Sequence, residues 1–250
     1  MTTQLVITDL TRMNEGRVCV AGYDSSLRCI RPVLPPPGIH ETSLYCEGCA
    51  AIFPFAVVEY HLLQATPNPP HTEDYRYNPD TVRHICRLDE TRKREILDQT
   101  SFANVTDIFE VRVCNDHGHY IREGEGTRSL GTIRPQQIKC FYYEQSAYGK
   151  YSYRLNFVDN RGIEYWLTVT DLTWRYYCDW QRDHGRSTET VGGNLTKVLR
   201  QWDVYLRIGL ARGWEKYPDR CYLQVTGVYT FPDYLDGRIF ADFVPPPARL

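Results

Sequence analysis

Residues 203–214 read DVYLRIGLARGW. With a period of two, Val204, Leu206, Ile208 and Leu210 fall on one side, and Tyr205, Arg207, Gly209 and Ala211 on the other. Such alternation marks a strand buried on one face only. The second face carries a ring, a guanidinium and a glycine, where a merely solvated strand more often shows Thr, Lys and Glu. The expectation is a surface that faces water and meets a ligand.

The neighbouring segments repeat the pattern. In KYSYRLNF, Tyr151, Tyr153, Leu155 and Phe157 form the core face, leaving Ser152, Arg154 and Asn156 outside. In IEYWLTV, Ile163, Tyr165, Leu167 and Val169 point in, leaving Glu164, Trp166 and Thr168. In RCYLQVT the core face is Cys221, Leu223 and Val225, and the outer one Tyr222, Gln224 and Thr226. Asp159-Asn160-Arg161-Gly162 supplies a hairpin turn, since Asn and Gly tolerate positive φ. SLGTIRPQQIKCFYYE reads as one strand before these, WRYYCDWQRDHG as a short helix, and STETVGGNLTKVLRQW as a polar loop with one more helical turn.

The first half is also β-rich. QLVITDL, GRVCVAGYD and LRCIRPV form a meander, LPPPGIH breaks it, and IFPFAVVEYHLLQ resumes as a long strand. PNPPHTEDYRYNP is a proline-bracketed loop, and residues 80–100 read as one or two surface helices. DIFEVRVC returns to strand alternation, and HGHYIREGEGTRSLG reads as a loop. Thr-Asp-Leu-Thr occurs at 8–11 and 170–173, and Ile-Arg-Pro at 30–32 and 133–135, a weak internal echo. The expected fold is mainly β with short helices, in two β units of a size that small five-stranded Greek-key barrels fit, packed in one compact chain. The first spans 1–125 with a helical insertion near 80–100, the second 126–250.

Composition sets limits. Of 250 residues, 42% are hydrophobic and 24% charged, as in an ordinary folded protein, and 19 tyrosines favour strands and recognition surfaces. No apolar run approaches the roughly 18 residues a membrane span needs. The start, MTTQLVITDLTRM, has no basic n-region, so no signal peptide is expected. Nine cysteines, spread singly apart from Cys46 and Cys49, suit reduced thiols and a cytoplasmic location. Net charge is −2, but residues 1–129 hold 13 Lys+Arg against 18 Asp+Glu, whereas 130–220 hold 14 against 10. A polyanion is therefore better received by the second half.

VYLRIGLARGW followed by CYLQVTGVYTFPDYL, together with IRPVLPPPGI and PPHTEDY, resembles the bacterial dual OB-fold domain proteins. The likeness runs from the first strand to Tyr234 and rests on whole-strand patterns. It implies two OB-type barrels in a small cytoplasmic accessory protein that binds nucleic acid or a nucleotide, within a genome-defence or nucleotide-processing system. It brings no catalytic residues.

OB-folds grip single strands by stacking bases on aromatics, with Arg or Lys tracking the phosphates. That chemistry selects Arg154, Asn156, Trp166, Tyr205, Arg207, Tyr222 and Gln224, with Arg212 and Trp214 at the strand's exit, and Gly209 and Gly213 for close backbone approach. The competing reading packs this face against the first unit, with Trp166, Tyr222 and the Arg207 stem as interface. A different class of function, an enzyme acting on a nucleotide or modified base, would use the loop residues His71, Glu73 and Asp74. Consecutive residues seldom converge on one point, and loop capping explains them too. A third class is a protein-interaction adaptor or immunity-type partner. Cys46-x-x-Cys49 has zinc-knuckle spacing, with His40 and His61 nearby, but no second pair completes it. His117-Gly118-His119 reads as a turn and Arg92-Lys93-Arg94 as a solvated helix face. No cofactor or metal is expected, and no P-loop, G-x-G-x-x-G, G-x-S-x-G or H-E-x-x-H motif is present.

Overall fold

The computed structural model describes residues 1–244, so the end of the proline-rich tail FVPPPARL, from 245 on, lies outside the described residues. Five strands build the first barrel: β1 (Thr2–Arg12), β2 (Arg17–Tyr23), β3 (Cys29–Val33), β4 (Ala56–Ala65) and β5 (Asp74–Arg87). Their order is β1-β4-β5-β3-β2, and β2 pairs back to β1 to close the ring. β1 can serve both ends because it is long and bent. Thr2 to Val6 pair with β4, Val6 to Arg12 pair with β2, and a bulge sits between Ile7 and Asp9. Such an extra residue bends a strand and re-aims its side chains. The β3–β5 pairing is parallel, with Arg31 opposite Asp74. Leu5, Ile7, Leu10, Val20, Ile30, Val58 and Tyr60 fill the interior.

β5 corrects two sequence expectations. Half of the loop PNPPHTEDYRYNP is strand, and so are residues 80–87; the helix α1 begins only at Glu90 and ends at Gln99. Pro79 is tolerated because β4 skips from His61 opposite Asn78 to Glu59 opposite Arg83, leaving Pro79 outside the ladder. DIFEVRVC likewise holds no long strand. Val105–Phe109 is a short helix, α2, whose Val105, Ile108 and Phe109 are buried in the second core. After it β6 (His119–Arg122), in the stretch expected to be loop, pairs with a strand of the second sheet.

The second barrel repeats the plan with its first strand broken. β7 (Leu130–Ile133) pairs with β11 (Asp203–Leu210), while β8 (Gln137–Gln145) pairs with β9 (Tyr151–Val158). The sequence reads as one strand, but Pro135 has no N–H to give a ladder, and the chain turns there from one neighbour to the other. β9 pairs with β10 (Glu164–Val169), β10 runs parallel to β12 (Arg220–Phe231), and β12 returns antiparallel to β11. Between β10 and β11 lie α3 (Leu172–Asp183) and α4 (Thr188–Gln201). The expected polar loop is thus a full helix. Ser187 caps it, accepting from the Thr190 N–H, and Val191, Leu195 and Leu199 recur every four residues on its buried side.

The barrels pack outer face to outer face. On β1–β2–β3 the outward Thr8, Asp9, Thr11, Ala21, Tyr23 and Arg31 are all buried. Against them lie Tyr205, Arg207, Thr226 and Tyr229 of β11 and β12, with Phe55, Ile96 and Leu97 completing an apolar cluster around the two tyrosines and Tyr23. The two Thr-Asp-Leu-Thr copies are not equivalent positions, yet they meet: Arg12 N–H donates to the Thr170 carbonyl at 2.8 Å, and Thr11 bridges Asp171. Asp171 caps α3 and also accepts from Val228 N–H at 3.0 Å; burial pushes its carboxyl up to about 7.

Candidate nucleic-acid interface

Arg207 and Tyr205 do not face water. Arg207 is 0% exposed, its Nη2 lies 2.7 Å and its Nε 2.9 Å from Asp9 Oδ2, and its Nη1 donates to Tyr23 (2.6 Å) and Thr132 (2.9 Å). Tyr205 is 0% exposed; its hydroxyl donates to Asp98, and its ring meets Phe231 edge-on at 5.6 Å. The ring and guanidinium that a ligand was expected to find are instead met by the first barrel. A Cβ on Gly209 would come within 2.6 Å of Thr226, and one on Gly213 within 2.1 Å of the Pro218 carbonyl. Both glycines therefore admit the chain's own atoms and not a ligand's backbone.

The corresponding face of the second barrel, β8–β9–β10, is open. Its register places Tyr142 opposite Arg154, Arg154 opposite Thr168, and Thr168 opposite Gln224, so one row of outward side chains crosses four strands. The next row holds Cys140, Asn156 and Trp166. Tyr142 and Trp166 stack at 4.8 Å between centroids with 27° between planes, and each is 37% exposed. The Arg154 guanidinium lies 5.4 Å from the Trp166 ring centre. Two parallel rings backed by a cation form a ready stacking surface with a charge at its edge.

A second cluster continues along β12. Tyr222 pairs with Tyr120 of β6, ring centres 5.7 Å apart. Arg220 lies 4.7 Å from the Tyr120 ring and 4.6 Å from Tyr217, and Trp214 (53% exposed) meets Tyr217 at 5.7 Å in the β11–β12 loop. That loop and the β8–β9 turn, which carries exposed Tyr148 and Lys150, hold the positions of the two loops that frame an OB ligand.

Of the sequence-derived residues, Arg154, Trp166, Tyr222, Gln224 and Trp214 come to this open side. Asn156 is on its strand but buried, its amide donating to Glu164 at 2.7 Å. Arg212 is half-exposed and paired with Asp74. Tyr142, Tyr120, Tyr217 and Arg220 were missed. Period two in CFYYE does place Tyr142 outside Phe141 and Tyr143, but a bulge between Ile138 and Cys140 breaks the alternation upstream.

The loop His71-Thr72-Glu73-Asp74 does not converge on one point. Glu73 accepts from the Ser129 N–H (2.6 Å) and hydroxyl (2.9 Å), whereas Asp74 binds Arg31 at 2.5 Å and also Arg212. Both carboxylates are thus engaged in joining segments. His71 is held down to about 2, first by burial and then by Arg31 and Arg212, so its ring is neutral. Cys46 and Cys49 are exposed on a two-residue hairpin.

Two barrels in the strand order 1-2-3-5-4, each with third and fifth strands parallel, define a tandem OB-fold protein, the first ring closed by a bent β1 and the second by the β7–β8 chain. The chain belongs to the dual OB-containing domain family, whose family model matches residues 4–228. No curated protein matches it. Among the described residues no helix is long and apolar enough to cross a membrane.

Proposed function

We propose that the chain binds single-stranded nucleic acid, or a nucleotide, on the outer face of β8–β9–β10, as an accessory protein of a bacterial defence or nucleotide-processing system. The observation that carries the reading is the exposed Tyr142–Trp166 stack with Arg154 beside it, on an OB face that the partner barrel leaves uncovered. Every base has a π-face, so such a platform accepts strands of any sequence, and each stacked base contributes about 1–3 kcal/mol. The excess of Lys and Arg over Asp and Glu in residues 130–220 favours the same side.

The test is fluorescence anisotropy with labelled single-stranded DNA, single-stranded RNA, duplexes and free nucleotides at low salt, repeated at roughly 0.15 M salt. Trp166→Ala and Arg154→Ala should each weaken single-strand binding by about 5- to 150-fold, the range that 1–3 kcal/mol implies. Unchanged affinity in both variants would refute the assignment of the face.

A further inference from the structure

His71 Nδ1 or Nε2, a Glu123 carboxylate oxygen and Cys221 Sγ all lie within 4.8 Å of one another. They come from three distant segments: the β4–β5 loop of the first barrel, the residue following β6, and β12 of the second barrel. We infer that these three side chains form a binding site for a zinc-type divalent cation that ties the first barrel to the second.

The independent observation is His71 itself. It is 0% exposed, and neither ring nitrogen has a hydrogen-bond partner. A buried polar atom left unpaired costs about 1–3 kcal/mol, so two on one ring ask for an explanation. A cation held by one nitrogen supplies a partner for that atom, and the other nitrogen keeps the ring's proton. Imidazole nitrogen, thiolate and carboxylate are the donor types zinc takes, and three protein ligands leave a fourth position for water.

The backbone that carries the ligands is fixed. His71 N–H donates to the Asn68 carbonyl at 2.7 Å, Glu123 N–H to Asp219 at 2.9 Å, and Gly124 N–H to Pro69 at 2.9 Å. Cys221 sits in β12 opposite Ile121. Zinc bonds of about 2.0–2.3 Å at the tetrahedral angle put ligand atoms roughly 3.5 Å apart, so shifts of the order of 1 Å complete the site. Cys221 Sγ now donates to Glu123 Oε2 at 2.8 Å. Binding exchanges that hydrogen bond for a metal–sulfur and a metal–oxygen bond, and the thiol proton leaves to solvent. Thiolate and carboxylate then balance the cation's two charges. The two guanidiniums that act on His71, Arg31 and Arg212, are both paired with Asp74. Glu123 is only partly buried and gives the ion a way in.

The experiment uses the full chain expressed in zinc-supplemented medium, with metal measured by mass spectrometry and, after chelation, titration with Co2+ followed by absorption. The expected result is one zinc per chain and a thiolate-to-cobalt charge-transfer band with a tetrahedral ligand-field envelope. The Cys46→Ser/Cys49→Ser variant should keep both signals, whereas Cys221→Ser and His71→Gln should lose them, and Glu123→Gln should weaken uptake at least about tenfold. Far-UV circular dichroism and oligonucleotide binding by Cys221→Ser check that it is folded. If that variant does not fold, the wild-type cobalt spectrum decides. A wild-type chain that takes up no Co2+ with a thiolate band overturns the inference, and so does a folded Cys221→Ser that retains the metal.

Discussion

Replacing Arg207 by Met should unfold the junction without touching the ligand face. The guanidinium meets Asp9 through two nitrogens at 2.7 and 2.9 Å, and both residues are essentially inaccessible. Its removal leaves the Asp9 carboxylate buried with only hydroxyl donors, Thr8 at 3.0 Å and Thr226 at 2.6 Å. Breaking one side of a buried pair costs about 3–5 kcal/mol. The Tyr23 and Thr132 hydroxyls also lose a partner, so the upper half of that range is expected. Against a total of about 5–15 kcal/mol, that leaves a marginal protein. Arg207→Lys keeps the charge but not the fork, and should cost less. Urea unfolding followed by tryptophan fluorescence measures the loss. In a cycle with Asp9→Asn, the double variant should cost at least about 1 kcal/mol less than the summed singles. A loss below about 1 kcal/mol for Arg207→Met, or additive singles, refutes the account of the junction, and so does a folded Arg207→Met chain whose oligonucleotide affinity falls.

Gly209→Ala should destabilise by about 1–3 kcal/mol, since its Cβ would meet Thr226 at 2.6 Å and Leu130 at 2.8 Å; a neutral midpoint in thermal unfolding would contradict the packing. Ser187→Ala should cost about 1 kcal/mol through loss of the α4 cap, read as reduced helix signal and midpoint. Asp171 predicts a pH slope. Burial raises its folded pKa from 3.8 to about 7, so between those values the folded state holds a proton that the unfolded chain has released. Its contribution to stability therefore falls by about 1.4 kcal/mol per pH unit as pH rises across the window. Asp171→Asn should lack this component, and identical pH slopes for the two proteins would rule it out.

Much of this protein is legible in its residues. Period-two alternation picked out the core sides of β9, β10, β11 and β12, where Leu155, Phe157, Leu167, Leu206, Ile208 and Leu223 are all buried, whereas Ile163, read as core just ahead of β10, is exposed. Turn chemistry found the Asp159–Gly162 hairpin, where Gly162 takes positive φ and Asp159 accepts from the backbone at Arg161 and Ile163. Alternation distinguishes the two sides of a strand, but it carries no information about what covers the second side. Tyr205 and Trp166 look alike in sequence, each an aromatic on the non-core side of a strand. The first barrel's β1–β2–β3 face covers one and leaves the other in water. Likewise Asp9 and Arg207, or His71 and Cys221, lie far apart along the chain, and their local sequence does not announce a partner. Local periodicity decided β9 to β12 because backbone geometry is a short-range matter. The junction, the open platform and the His71–Glu123–Cys221 cluster depend on long-range packing, and only the docking of two closed barrels brings those atoms together.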